Sequence, residues 1–322
     1  MPEPTKIPPM EHFVAPLEET PIAAVDAVKV SEKKSTLWLD AWRDMRRRAM
    51  FWLSAAIILL VLLVSLFPSW FSSINPLKVK GDCLLDNARG GPAPGHPFGF
   101  DGQGCDIYAH VIYGTSTSVS VGLTVTVMTF VIGIIMGALA GFFGGWVDAV
   151  LSRVGDIFFS IPYILAAVIV MSVFSEHRNV LVISLAIGGF SWPVSARILR
   201  SEILRVKNAD FVMASEALGL SRIRTLWGHV LPNSIAPLIV VTTLSLSAAI
   251  VAEAVLSFLG VGLPPSDFVS WGNDISQAQR YLRTDPMILL YPSLALAITV
   301  FGFVMMGEVV RDALDPKARA QR

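Results

Sequence analysis

Long runs without Asp, Glu, Lys or Arg alternate with short polar stretches along the chain. Six of these runs are long enough to cross a bilayer core of roughly 30 Å, which takes about 20 helical residues. They cover 49–71, 118–143, 157–175, 180–196, 234–252 and 287–306. The third and fourth are short, and Pro162 and Pro193 interrupt their ends. Such breakers persist at membrane depth only where protein or a water-lined cavity satisfies the freed backbone groups. The pattern predicts an all-α membrane protein with six transmembrane helices.

The intervening stretches divide the chain further. Residues 1–35 carry six prolines and six acidic residues without an apolar period, which predicts a disordered tail. Residues 36–71 hold an interfacial helix, with Trp38, Trp42 and Met45 on one face, followed by the first membrane anchor. That first run is too long for the apolar region of a cleaved signal peptide, and no small-residue cleavage site follows it, so it is expected to stay as an anchor. Residues 72–113 are rich in turn formers and read as an extracytoplasmic loop. A core of five further spans occupies 114–313, and 314–322 form a short C-terminal tail.

Composition agrees with lipid as the solvent: 53% of the 322 residues are hydrophobic, 16% are charged and mean hydropathy is +0.61. Net charge is zero, so nothing points to nucleic acid. With six spans both termini share one side. The opposite side holds only Lys78, Lys80, Arg89, Arg178, Arg280 and Arg283 of the 25 basic residues. The positive-inside bias therefore places both termini, and the 197–233 connection, in the cytoplasm.

Few residues suggest chemistry. Cys83 and Cys105, the only cysteines, fall in the external loop, where oxidation to a disulfide is permitted; two free thiols or a metal pair helped by His96 are the alternatives. Gly133, Gly137 and Gly141 line one helix face and suit close packing, within the chain or against another subunit. Glu253 near the outer end of the fifth span either lines a path, with or without a cation, or hydrogen-bonds a helix break. Glu308 lies near the inner end of the sixth, beside Arg311. No phosphate-binding loop, zinc-protease motif or nucleophile elbow occurs, and the five histidines are scattered. No catalytic, cofactor or metal site is expected in this chain.

The stretch "ASEALGLSRIRTLWGHVLP", Ala214 to Pro232, breaks the apolar pattern. Asn208 or Asp210 can cap a helix on which Phe211, Ala214 and Leu218 share a face. Gly219 suits the left-handed residue that ends it, and Ser221 can cap a second helix running toward Pro232. A face of small residues with one aromatic is buried either against span ends or against another protein. The residues alone leave both open.

This stretch resembles the cytoplasmic signature loop of ABC-importer permease subunits, E-A-A, three residues, Gly, nine residues, then I-x-L-P. The matching positions are Met213-Ala214-Ser215, Gly219 and His229-Val230-Leu231-Pro232. "HPFGFDGQGCDIYAHVIYG", "AEAVLSFLGVGLPP", "SWGNDI" and "VVRDALDPKAR" resemble further segments of the peptide-permease branch, in order. Within it the chain is most similar to the second permease subunit of oligopeptide and dipeptide importers. It departs from the pattern at Met213 (usually Glu), Phe100 (usually Thr) and Cys105 (usually Arg).

The resemblance implies the type I importer permease fold in a bacterial cytoplasmic membrane. It implies a heterodimer with a similar permease, two cytoplasmic ATPase subunits or domains that bind ATP and Mg, and an extracytoplasmic binding protein. The coupling contact would be made by Phe211, Ala214, Ser215, Glu216, Gly219, His229, Leu231 and Pro232. Peptides are the expected cargo, with nickel, glutathione and haem as alternatives in the same architecture. A self-sufficient carrier or channel using Glu253 is the competing class.

Overall fold

A computed structural model describes residues 37–77 and 83–314, and from Trp38 onward these belong to one unit. The tail expected at 1–35, Lys78 and Lys80 of the loop expected to be external, and all but Leu314 of the C-terminal tail lie outside the described residues. Helix α1 (Leu37–Met45) leads to α2 (Ala49–Leu66), which stops at Phe67, before Pro68. A residue preceding proline is pushed out of the helical region, so Pro68–Phe71 forms a separate turn and the first span is shorter than its apolar run.

Helix α3 (Ile107–Phe143) begins well inside the stretch read as external loop. The Asp106 carboxylate accepts the Tyr108 N–H at 2.9 Å, satisfying a donor that a helix start otherwise leaves open. The third span is not one helix. It is α4 (Gly145–Ser160) and α5 (Tyr163–Val173), turned by 80° at Ile161–Pro162. The single span expected over 157–175 is thus corrected: Pro162 has no N–H to continue the ladder. Half of the element lies upstream, in a segment whose charges hid it. Two of those charges are paired, Asp148 with Arg200 at 2.5 Å and Asp156 with Arg197 at 2.7 Å.

Helix α6 (Val180–Val206) continues past Ala196 through those arginines, and Lys207 donates to the Gly141 carbonyl at 2.9 Å. Helix α7 (Asp210–Ala217) and the turns to Ser234 follow. Then come α8 (Ala236–Phe258), α9 (Trp271–Ala278) and α10 (Met287–Leu314). Among the described residues five helices are long and apolar enough to span a membrane, or six when the bent pair is counted as one span.

The centre is α3 against α6, running in the same direction. A Cβ on Gly133 would sit 2.6 Å from Ser195 Cβ, on Gly137 2.7 Å from the Ala196 carbonyl, and on Gly141 3.0 Å from the Arg200 carbonyl. The glycine stripe packs inside this chain. Val121, Val125, Met171, Ile187, Ala249 and Leu256 close the core between α3, α5, α6 and α8. Helices α2, α8, α9 and α10 meet around Leu246, Ile250, Trp271 and Phe303. Arg48 clasps Asp44 of α1 at 2.7 Å and Asp312 of α10 at 2.6 Å, tying both ends of the described chain together.

Candidate functional site

The segment 210–234 projects from the end of α6. Neither Asn208 nor Asp210 caps α7: Ala209 is the N-cap, and the Asn208 amide donates back to the Leu204 carbonyl at 3.3 Å. Asp210 instead occupies the first turn, where its negative charge complements the helix dipole. The C-terminus closes as expected at Gly219, φ +83°. Leu220 N–H reaches the Ser215 carbonyl and Gly219 N–H the Glu216 carbonyl, a Schellman pair. Ser221 sits at the next N-cap without a side-chain bond. A π-helical turn, Leu226–Val230, then precedes Pro232, which cannot donate to the carbonyl four residues back.

One edge of this segment is a keel. Val212, Leu226, Val230 and Leu231 are buried against Leu199, Ile203 and Val206 of α6, with Leu238 of α8 below. Ser215 is buried too, its hydroxyl donating to the Val212 carbonyl at 2.7 Å. The other edge is open. Phe211, Met213 and Ala214 are exposed, as are Ile223 and Trp227, and Leu218 is 82% exposed. The face of Phe211, Ala214 and Leu218 therefore does not meet the span ends. Glu216, Gly219 and Pro232 lie exposed on the same segment, Leu231 is in the keel and His229 is half-buried. A ridge of large apolar side chains held up by a rigid keel needs a covering surface.

At the opposite end of α3, Cys83 and Cys105 are joined, with sulfurs 2.02 Å apart. Asp101 accepts the N–H groups of Gln103 and Cys105, each at 2.8 Å. His96 Nδ1 lies 3.1 Å from Asp106 Oδ2, so the histidine of the alternative metal site is engaged elsewhere. Glu253 is fully buried and accepts from Ser118 at 2.9 Å and Ser257 at 2.9 Å, so both of its oxygens are occupied within the protein. Glu308 pairs with Arg311 at 3.9 Å.

Besides the pairs of Asp148 and Asp156 given above, two more contacts between distant segments escaped sequence reasoning. His110 Nδ1 meets Asp274 Oδ1 at 2.9 Å, joining α3 to α9, and Arg48 meets Asp312. The only signal was a charged or titratable residue at the edge of an apolar run, which names no partner.

Residues 130–320 match the family described as binding-protein-dependent transport system inner membrane component. The chain belongs to this family. Residues 36–83 match the N-terminal transmembrane domain of oligopeptide transport permease C, which places α1 and α2 in the same lineage. The permease is 36% identical to the oligopeptide transport system permease protein OppC of Bacillus subtilis (strain 168), over 92% of this chain and 95% of that one. It is 31% identical to the dipeptide permease DppC of Alkalihalophilus pseudofirmus, over 88% and 91%. It is 32% identical to the glutathione permease GsiD of Escherichia coli O6:K15:H31, over 95% and 97%. The fold is that of an ABC importer permease: a chain of the inward-facing MetNI methionine ABC transporter superposes with TM-score 0.53 over 63% of this chain and 96% of that one, at 19% identity.

Proposed function

We propose that this permease is one of two transmembrane subunits of an ATP-driven importer whose cargo is short peptides. The observation that carries the coupling role is the open ridge of Phe211, Met213, Leu218, Ile223 and Trp227 on a keel packed into α6. A surface so built transmits force: what pushes on the ridge moves Val212, and Val212 moves the end of α6. ATP and Mg belong to two cytoplasmic ATPase subunits that cover the ridge. Their closure tilts α6 and its neighbours, and the path opens outward to accept cargo from an extracytoplasmic binding protein. Hydrolysis lets it return. In this reading both termini and α7 are cytoplasmic, the Cys83–Cys105 loop is external, and a homologous permease completes the path.

The peptide class is supported by relatives named for oligopeptides and dipeptides. Glutathione, itself a modified tripeptide, is favoured by further relatives of similar identity and is the second reading. Reconstitution tests the proposal. The purified chain alone should hydrolyse no ATP, and hydrolysis stimulated by loaded binding protein should require the ATPase subunits and the second permease. ATPase activity from the rigorously purified single chain, or peptide uptake without the ATPases, sinks it.

A further inference from the structure

Helix α1 joins α2 through a turn of three consecutive arginines, Arg46, Arg47 and Arg48, and this corner is firmly held. Arg46 N–H reaches the Trp42 carbonyl at 3.1 Å, Arg47 N–H the Asp44 carbonyl at 3.2 Å and Arg48 N–H the Met45 carbonyl at 3.0 Å. From the α2 side the Trp52 indole donates to the Arg46 carbonyl at 2.9 Å. Phe51 is buried and meets Trp42 edge-on, with ring centres 5.6 Å apart, and Trp52 at 5.3 Å. Rings from both helices clamp the corner.

Its charges are unevenly spent. Arg48 engages Asp44 and Asp312, and Arg43 faces Asp40 at 3.6 Å. Arg46 and Arg47 are exposed and form no ion pair among the described residues. Exposed indoles flank them in the chain, Trp38 and Trp42 before and Trp52 after. Indoles favour the boundary between hydrocarbon and headgroups. Beyond that boundary α2 exposes Leu53, Leu59, Leu60 and Leu66, as a side facing lipid needs. Two uncompensated guanidiniums at headgroup depth meet phosphates. An anionic headgroup satisfies them, whereas a zwitterionic one brings its own competing cation.

The inner side of α1 has a different task. Ala41 and Met45 pack with Ala236 and Val240 of α8 and with Ala313 and Leu314 of α10. Leu238, in the same turn of α8, closes the keel of the α7 segment. Helix α1 and the keel therefore bear on one turn of α8.

We propose that the Arg46–Arg47 turn is a binding site for an anionic phospholipid headgroup, and that its occupancy steadies α1 on the α8 turn that carries the keel. The binding itself needs only α2 in a bilayer; its effect on coupling rests on the importer reading above.

Native mass spectrometry of the purified full-length chain tests the site by titration with phosphatidylglycerol and, separately, phosphatidylcholine. Wild type should bind phosphatidylglycerol more tightly. Arg46→Gln combined with Arg47→Gln should weaken that binding by about tenfold or more and leave phosphatidylcholine unchanged, each cation near an anionic surface contributing about fivefold. Arg46→Lys combined with Arg47→Lys should restore most of the preference, because the ammonium keeps the charge. The bonds that hold the turn come from backbone groups and an indole, so all these variants should keep its shape. Equal affinity of wild type for the two lipids, or an unchanged preference in the Gln variant, overturns the proposal. So does a preference that disappears when the second permease and the ATPase subunits are added, since a partner then covers the turn. In that complex, reconstituted in phosphatidylcholine alone or mixed in equal parts with phosphatidylglycerol, cargo-stimulated ATPase should rise several-fold with the anionic lipid. The Gln variant should not respond. Phosphatidylglycerol that binds at the turn without this response overturns the coupling role. No cargo-stimulated ATPase in either lipid defeats the importer reading instead, and the titration still decides the site.

Discussion

The loop before α3 and the α7 segment are both polar interruptions of an apolar chain, yet they use their polar groups in opposite ways. The loop turns inward. Asp101 holds its own backbone, Asp106 meets His96, Cys83 is joined to Cys105, and Phe98 stacks on Tyr291 of α10 with ring centres 4.1 Å apart. The α7 segment ties itself down with one keel and leaves its largest side chains outside. The loop satisfies its polar groups and closes as a cap, although Leu84 and Leu85 stay exposed on it. A segment that leaves an apolar ridge unsatisfied is half of an interface. In the proposed reading that difference, rather than either segment's composition, separates structure from coupling.

The sharpest way to break the comparison is to spoil the ridge without touching the keel. Ala214 is exposed beside Phe211, and Gly219 has open space around it but φ +83°. Ala214→Trp should hold the covering surface away, and Gly219→Val should cost about 1–2 kcal/mol in the left-handed conformation and redirect the following turn. Both proteins should reach the membrane, and both should lose uptake and cargo-stimulated ATPase by about tenfold or more, as expected when a central contact is removed. Ser215 faces its own chain, so cross-linking belongs at Ala214: Ala214→Cys should join a cysteine in the ATPase groove. Wild-type uptake by Ala214→Trp together with no cross-link makes the segment a plain connector.

A smaller effect is expected from the keel. Val212→Ala removes buried methyl groups and should cost about 1–2 kcal/mol locally. The ridge would still be covered but would pull less firmly on α6. Uptake should fall several-fold while ATP hydrolysis falls less, an uncoupling that the ridge variants do not show. Parallel losses of both activities would mean that ridge and keel are one feature.

The legible part of this molecule was the part that lipid dictates. Apolar runs located the five unbroken spans and the second half of the bent one, and the Gly219 turn followed from the residue that best tolerates its backbone. Helix ends were less legible. Helices α6 and α10 run on through Arg200 and Arg311, because a helix leaving lipid has no reason to stop at the first charge. The 80° turn at Pro162 was hidden because its first half carries Asp148, Arg153 and Asp156, which a search for charge-free runs rejects. Which face of α7 is the keel was also hidden. Phe211, Ala214 and Leu218 form as good an apolar face as Val212 and Ser215, and only the position of Leu199 and Ile203 decides between them. Arg48 with Asp312, and His110 with Asp274, are partners that only the fold brings together.

The cap should prove tolerant. Native unreduced protein should show no alkylatable thiol, and reductant should expose two; two thiols before reduction refute the bridge. In the chain-entropy model a loop of this size contributes roughly 3 kcal/mol, often less after strain. The Cys83→Ser, Cys105→Ser double variant should therefore be less heat-stable. It should still transport within about threefold of wild type, because Asp101 and Asp106 continue to hold the loop through hydrogen bonds that each stabilise it by about 1 kcal/mol. Abolished transport in a variant that is fully folded would show that the cap is itself an interface.

The smallest effect is expected at Arg222, and it sharpens the comparison most finely. Arg222 lies on the α7 segment, exposed, next to Ile223 of the ridge. It forms no ion pair among the described residues, unlike Arg200, whose guanidinium is held by both oxygens of Asp148. As the first residue of the Arg222–Thr225 turn it sits at the positive end of a short dipole, where a cation is slightly disfavoured. Arg222→Ala should therefore change stability by no more than about 0.5 kcal/mol in either direction. If the partner is recruited by the apolar ridge, uptake should stay within about twofold of wild type, since exposed rim charges contribute little to affinity. The association rate with the ATPase subunits should be the quantity that moves, and high salt should erase the difference. A tenfold loss of uptake from Arg222→Ala, with Leu218→Ala harmless, would shift the contact from apolar ridge to basic rim, and exposed charge rather than unsatisfied apolar surface would then mark the working face.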